Sequence, residues 1–159
     1  MGGAAELVYR LSAFNAEYAR CIDDDRLEAW PGFFLERCLY KITTADNERE
    51  GYEAAVVYAD SRAMLEDRVT ALREANVYER QRYRHIVGTP TVLAEGDGEV
   101  RAESPFLVTR IMRDGRMDVF ATGRYLDRVR EAPAGGLRFA ERIVVCDSPR
   151  FDTLLAIPL

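Results

Sequence analysis

The stretch that decides the fold runs from Glu99 to Asp147 and reads EVRAESPFLVTRIMRDGRMDVFATGRYLDRVREAPAGGLRFAERIVVCD. Its apolar residues recur at every second position, which is the period of a β-strand with one buried face. One stripe comprises Val100, Ala102, Phe106, Val108 and Met112, and a second comprises Met117, Val119, Ala121, Tyr125 and Val129. The pattern predicts two long neighbouring strands.

The turn between the stripes predicts how these strands pair. Asp114-Gly115 is typical of a two-residue hairpin turn. A turn centred there places these residues opposite each other: Met112 and Met117, Val108 and Ala121, Phe106 and Gly123, Val100 and Val129. A third strand, Leu137–Cys146, follows the turn Pro133-Ala134-Gly135-Gly136. We therefore expect a three-stranded antiparallel meander whose apolar face needs a cover.

Helices before the meander can supply that cover. Apolar residues three and four positions apart predict a helix from about Ala5 to Arg20, with a face formed by Leu7, Leu11, Phe14, Tyr18 and Ile22. Asp23-Asp24-Asp25 is predicted to end this helix and to cap a short second helix from Arg26, which contains Leu27, Trp30, Phe33 and Phe34 around Pro31. Three consecutive carboxylates cannot converge on one ion, so we prefer capping to metal binding.

The region from Leu39 to Gly98 alternates between strand and helix patterns. The first predicted elements are a strand Leu39–Thr43, a loop Thr44–Gly51 and a strand Ala55–Ala59. Asp60-Ser61 then caps a predicted helix whose apolar stripe comprises Met64, Leu65, Val69 and Leu72. A strand Arg82–Ala94, bent near Gly88 and Pro90, places Tyr83, His85, Val87 and Leu93 on one side and leads into a turn Glu95–Gly98. The other helix face, which carries Arg62, Glu66, Asp67, Arg73 and Glu74, is expected to be solvated or to meet a partner. The whole predicts a single α+β domain, 1–159, with N-terminal helices packed on a curved, mixed, mainly antiparallel sheet.

Composition narrows the class of protein. Apolar residues make up 48% and charged residues 31%, which favours an ordinary soluble fold over disorder. A net charge of −5 with scattered basic residues argues against nucleic-acid binding. No apolar run is long enough to span a membrane and no signal peptide is evident, so we expect a cytoplasmic protein. Cys21, Cys38 and Cys146 stand among apolar neighbours and are expected to be buried free thiols.

The residue types present exclude several kinds of catalytic site. A Rieske cluster needs two histidines and two cysteines, and a mononuclear iron triad needs two histidines, whereas this chain has one histidine. No closely spaced cysteine pair, phosphate-binding glycine loop or nucleophile elbow occurs either.

Ionisable residues on the apolar side of the meander leave two interpretations open. Arg110, Asp127 and Glu141 interrupt the apolar stripes, and Tyr125 and His85 are predicted to face the same interior. They could form an acid–base site, because burial raises the pKa of a carboxyl group. The preferred interpretation is that inward charges pair with one another or meet a partner subunit, and that His85 is a hydrogen-bonded core or interface residue.

Five segments together resemble the small (beta) subunit of bacterial aromatic-ring-hydroxylating dioxygenases. They are Leu27-Glu28-Ala29-Trp30, Tyr83-Arg84-His85, Phe120–Asp127, Glu141–Asp147 and Leu154–Leu159. Within this family the chain is most similar to small subunits of the terephthalate type, through Asp60-Ser61, Leu72–Asn76, Tyr78-Glu79-Arg80, Cys146-Asp147-Ser148 and Asp152-Thr153-Leu154.

The resemblance implies an NTF2-like cone and a mainly structural role in aromatic-compound catabolism. In the family, three small subunits lie beneath three large (alpha) subunits, and the large subunit carries the Rieske 2Fe–2S cluster, the mononuclear Fe(II) and the substrate site. A ferredoxin or reductase supplies NAD(P)H electrons, and dioxygen is added to the ring as a cis-diol. This chain is then expected to hold no cofactor.

Candidate interface or fold-supporting residues follow from the matching motifs: Arg84, His85, Arg124, Asp127 and Arg142. One alternative is a stand-alone isomerase or dehydratase of the same fold that uses interior Asp127, Glu141, Tyr125 or His85. An open pocket of about 300 Å³ or more that exposes Asp127 or Glu141 beside Tyr125 would favour it, and a filled cone would favour the structural role. A homo-oligomeric binding module is a third possibility.

Overall fold

The helices and strands follow the order expected from the apolar patterns. The computed structural model describes residues 3–51, 55–75, 81–150 and 157–159. The helical elements in these ranges are α1 (Ala4–Asp23), a 3₁₀ helix (Leu27–Phe33), α2 (Ala45–Arg49) and α3 (Arg62–Ala75). The strands are β1 (Phe34–Thr44), β2 (Val57–Ala59), β3 (Gln81–Val87), β4 (Thr91–Gly96), β5 (Glu99–Met112), β6 (Met117–Glu131) and β7 (Leu137–Cys146).

These strands form one mixed sheet. Their order is β2-β1-β7-β6-β5-β3, with β4 pairing beside β5. β1 and β7 are parallel, and the remaining pairs are antiparallel. The predicted α+β class, with N-terminal helices on a mainly antiparallel sheet, is therefore confirmed.

The core lies between the sheet and the N-terminal helices. α1 buries Leu7, Leu11, Tyr18 and Ile22, which belong to the predicted apolar face. Aromatic rings fill the space beneath it, among them Trp30, Phe34, Tyr40, Tyr125 and Phe139. Two buried tyrosine hydroxyls, of Tyr18 and Tyr40, donate hydrogen bonds of 2.8 and 2.9 Å to the carbonyl oxygen of Leu159.

The register of the meander is confirmed over most of its length. Val108 pairs with Ala121, Phe106 with Gly123 and Val100 with Val129, as the turn predicted. Near the turn the prediction is wrong, because a register shift after Val108 pairs Ile111, not Met112, with Met117. One extra residue in a strand reverses which face the following side chains occupy. Met117 and Val119 are consequently exposed on the outer face instead of joining the apolar stripe.

A second irregularity changes the interior residues of β7. Arg128 pairs with Glu141 and the next residue, Val129, pairs with Phe139, so Ala140 is bypassed. The prediction that Glu141 faces the interior is therefore wrong. Arg142 takes the inward direction and has no solvent exposure.

Other differences have local causes. The predicted loop Thr44–Gly51 contains helix α2, which Thr44 caps by accepting a hydrogen bond from the Asn47 amide. Ser61 caps α3 as predicted, with its hydroxyl accepting from the Met64 amide at 3.2 Å. The strand predicted over Arg82–Ala94 is two strands, and a register shift between Val92 and Ala94 leaves Leu93 exposed.

The acidic triplet does not cap the second helix. No side chain caps the 3₁₀ helix, and Asp23 and Asp25 instead bind His85 and Arg73. Arg73, predicted on the outward face of α3, also pairs with Glu28. Of the matching motifs, Asn76, Tyr78–Arg80, Asp152–Leu154 and the first three residues of Leu154–Leu159 lie outside the described residues.

Gly123 marks a close approach between β6 and β7. A Cβ atom at this position would overlap the carbonyl oxygen of Val145. We expect Gly123→Ala to lower the free energy of unfolding by at least about 2 kcal/mol, because the backbone must move to admit the methyl group. Urea denaturation measures the effect. Gly96→Ala, where nothing lies within 4 Å of the added atom, is the control and should change stability far less.

Candidate functional site

An ion pair between Asp127 and Arg142 lies at the centre of the buried face. Both residues point inward from neighbouring strands, where β6 and β7 pair them directly. The guanidinium binds the carboxylate through two hydrogen bonds, Nε to Oδ1 and Nη2 to Oδ2, each 2.8 Å long. Nη2 also donates to Asn15 Oδ1 at 2.6 Å, and Asn15 Nδ2 donates to Ser104 at 3.2 Å. α1 is thereby joined to three strands through one polar network.

Aromatic rings enclose the Arg142 guanidinium. Its central carbon lies 3.7 Å from the ring centroid of Tyr125, 4.1 Å from that of Phe139 and 4.4 Å from that of Tyr18. The electron-rich ring faces attract the cation in a space from which water is excluded. These rings fill the interior around the ion pair.

Burial and the charge of the partner shift the pKa of Asp127 and of Arg142 in opposite directions. Burial raises the pKa of Asp127, and the adjacent Arg142 opposes this shift. Burial alone would lower the pKa of Arg142, but Asp127 raises it above its ordinary value. The two short hydrogen bonds are those of a guanidinium bound to a carboxylate, and each group stabilises the charged form of the other.

His85 forms a separate buried pair with Asp23. The ring Nδ1 lies 2.7 Å from Asp23 Oδ1, and the backbone amide of His85 donates to Asp23 Oδ2 at 2.9 Å. A carboxylate only accepts, so this geometry places a proton on Nδ1. Asp23 is the last residue of α1, and its carboxylate therefore ties that helix to strand β3.

Arg110 and Glu141, which were also predicted to face the interior, are paired as well. Arg110 is buried and binds Asp118 at 3.1 Å, above the ring of Phe120. Arg128 on the outer face binds both Glu99 and Glu141, at 2.8 and 3.0 Å.

The site residues predicted from the sequence do not form one site, because the structure places them in separate parts of the molecule. Asp127 and Arg142 meet, whereas His85 lies with Asp23. Arg124 lies on the outer face with Glu103 and Glu48, at 2.6 and 3.3 Å. Arg84 is exposed, with its nearest carboxylate oxygen, on Asp23, 3.9 Å away. Sequence reasoning missed Asn15, which lies on the buried side of α1 where a polar residue is unexpected. It assigned Asp23 a capping role and missed its bond to His85.

A cleft of about 460 Å³ lies between α1 and β3. Its lining comprises Ser12, Asn15, Ala16, Ala19, Arg20 and residues 85–89. Asp127, Glu141 and Tyr125 are not part of that lining. Of the residues named for the isomerase or dehydratase alternative, only His85 lines the cleft. Its ring Nδ1 is already bound to Asp23, and no carboxyl group or tyrosine of that alternative lies beside it in the lining.

The donor groups of the described residues do not fit an iron or iron–sulfur centre. Within the ranges that the structure describes, no three His, Cys, Asp or Glu residues are grouped in a way that could hold a metal ion. All three cysteines are buried free thiols. Burial raises the pKa of Cys38 to about 11 and that of Cys146 to about 12, which disfavours the thiolate form that metals bind. Among the described residues, no helix is both long enough and apolar enough to cross a bilayer.

Comparisons with known proteins give the family. Residues 17–152 match the family model described as the ring hydroxylating beta subunit. The chain belongs to this family. The family resemblance predicted from sequence is confirmed. This chain is the beta subunit of a multi-subunit aromatic-ring-hydroxylating dioxygenase. A beta subunit implies an alpha subunit as its partner.

Individual relatives place this beta subunit more closely. It is 51% identical to the terephthalate 1,2-dioxygenase terminal oxygenase component subunit beta 1 of Comamonas sp., over 94% of this chain and 97% of that protein. It is 39% identical to the anthranilate 1,2-dioxygenase small subunit of Burkholderia cepacia, over 95% and 93% of the two chains. A crystal structure assigned to the beta subunit of such a dioxygenase from Novosphingobium aromaticivorans matches with a TM-score of 0.89 and 38% identity, over 98% and 99%.

Removing one member of the buried ion pair should destabilise the beta subunit strongly. We expect Asp127→Ala to lower the free energy of unfolding by about 3–5 kcal/mol, because it leaves the buried Arg142 guanidinium without its counter-charge. Urea denaturation measures the loss. Glu103→Ala, which removes a partly exposed pair with Arg124, is the matched control and should cost about 1 kcal/mol or less. Equal losses for both variants would contradict a dominant role for the buried pair.

The ion pairs of Glu99 with Arg128 and Arg130 on the outer face should stabilise the fold only above acidic pH. Hydrogen bonds from Arg128, supported by Arg130, lower the pKa of Glu99 from an ordinary 4.5 to about 2. The stabilisation is therefore complete above pH 4.5 and is lost as the pH falls toward 2. Unfolding curves of wild type and Glu99→Gln should differ by about 1 kcal/mol at pH 7 and converge below pH 4.5. Glu95→Gln, whose carboxylate makes no ion pair with a described residue, should track wild type throughout.

Proposed function

We propose that this beta subunit is the small, structural component of a terminal oxygenase that dihydroxylates an aromatic carboxylate of the terephthalate type. The single observation that carries the substrate class is the 51% identity to the Comamonas terephthalate 1,2-dioxygenase beta subunit, which extends over nearly the full length of both chains. The lower identity to the anthranilate enzyme's small subunit ranks that substrate second.

The proposed assembly contains three alpha and three beta subunits. The Rieske 2Fe–2S cluster and the mononuclear Fe(II) belong to the alpha subunit, since this chain has one histidine and cannot supply their ligands. A ferredoxin or reductase delivers electrons from NAD(P)H in the cytoplasm. With two electrons and two protons, both atoms of dioxygen are added to adjacent ring carbons as a cis-diol.

The role proposed for this chain's own residues is support of the fold and of the assembly. Residues 1–159 act as a single domain. His85, Asp127 and Arg142 hold the helices to the sheet, and their internal pairing supports this assignment. Arg84 and Arg124 act at or near the surface that meets other subunits.

Reconstitution tests the proposal. The beta subunit alone should contain no iron by metal analysis and should consume no oxygen with terephthalate. Together with its alpha subunit, a reductase and NADH, it should convert terephthalate to the cis-diol, detected by mass spectrometry. Stoichiometric iron in the lone beta subunit would contradict the division of labour. A complex that oxidises anthranilate but not terephthalate would contradict the substrate class.

A further inference from the structure

The outer face of β3, β5 and β6 displays apolar side chains to solvent. Ile86 is 57% exposed, Val119 62% and Met117 67%. Arg82, Arg84 and Arg116 are exposed as well. We call these six residues the basic apolar patch: Arg82, Arg84, Ile86, Arg116, Met117 and Val119.

Strand register places most of the patch on one surface. Tyr83 and His85 point into the core, so Arg82, Arg84 and Ile86 share the opposite side of β3. Across the next pair of strands, Thr109 lies between Arg84 and Val119. Ile111 lies in the same way between Arg82 and Met117. The arginines of β3 and the apolar side chains of β6 therefore share one face of the sheet, two strands apart.

The register shift in the β5–β6 hairpin creates this surface. Without it, Met117 and Val119 would follow Ala121 into the interior, as the alternation predicts. The shift turns them outward and leaves Phe120 partly buried against the core. A strand irregularity that exposes two apolar side chains is unfavourable for an isolated subunit unless another protein covers them.

Charge distinguishes this end of the sheet from the rest of the outer face. Toward β7, Arg124, Arg128 and Arg130 are neutralised by carboxylates of the same chain. In the patch, Arg82 and Arg116 form no ion pair with any residue that the structure describes. Arg84 comes only within 3.9 Å of Asp23, whose carboxylate already binds His85. The patch thus has an apolar centre and a basic rim in which, among the described residues, only Arg84 has a carboxylate oxygen within 4 Å.

We propose that the basic apolar patch is the docking surface for the alpha subunit, which presents apolar side chains bordered by Asp and Glu residues. This inference rests on the proposed function. Stable subunit interfaces combine an apolar centre with arginines, and complementary charge selects the partner. A two-fold contact between identical patches would oppose Arg82 and Arg84 with the same arginines, so charge disfavours that occupant.

Binding of the co-expressed alpha subunit to patch variants tests the inference. The variants are Val119→Glu in the apolar centre and Arg84→Glu in the rim. Tyr58→Glu and Arg37→Glu are matched controls, because both residues are exposed on β2 and β1 at the opposite end of the sheet. Circular dichroism confirms that each variant folds, and the alpha subunit is identified by peptide mass and by its iron–sulfur absorption. Each patch variant should weaken alpha-subunit binding at least tenfold, while the controls stay within twofold of wild type.

The outcomes separate the two proposals. If the wild-type beta subunit binds no alpha subunit, the proposed function fails. If wild type binds and the patch variants bind equally well, or if only the controls weaken binding, the docking surface is wrong. If patch variants keep the alpha subunit but break contacts between beta subunits, the patch is a beta–beta surface and the inference is overturned.

Discussion

The buried ion pair between Asp127 and Arg142 is the interaction on which the rest of the structure depends. Desolvating two charges is costly, and the cost is offset here by two 2.8 Å hydrogen bonds, by the amide of Asn15 and by three aromatic rings around the guanidinium. Asp127 and Arg142 come from the neighbouring strands β6 and β7, whereas α1 supplies Asn15 and Tyr18, so the pair has all its partners only when the helix is seated on the sheet. It therefore specifies how the two layers of the molecule join.

The same pair bears on function. In a cone of this shape, an inward carboxylate beside a tyrosine could serve acid–base chemistry, but Asp127 is enclosed and held by Arg142. His85 is likewise bound to Asp23 at the end of α1. The interior charges are bound to one another, which agrees with membership of the beta-subunit family. The surfaces of the chain, more than its interior, are then where its contribution to an oxygenase should be sought.

Strand irregularities decide which residues reach which surface. A register shift after Val108 exposes Met117 and Val119. A second shift, which leaves Ala140 unpaired in β7, turns Glu141 outward and Arg142 inward. Both positions were assigned to the wrong face by strict alternation, and each error has the same cause. A bulge adds one residue to one strand only, and its position depends on how the two strands pack, which the period of a single strand does not record.

Sequence by itself determined the three long strands of the meander, most of their register, helix α1 and the absence of enough histidines for an iron centre. These features follow from local periodicity, turn chemistry and residue type. The tertiary structure decided the partners of the charged residues: Arg142 with Asp127, Asp23 with His85, and Arg110 with Asp118. A long side chain can meet an opposite charge only where the fold brings it, and Asp23 and His85 are joined across 62 positions of the chain. Side-chain pairing at that separation is a property of the packed layers, and no local pattern encodes it.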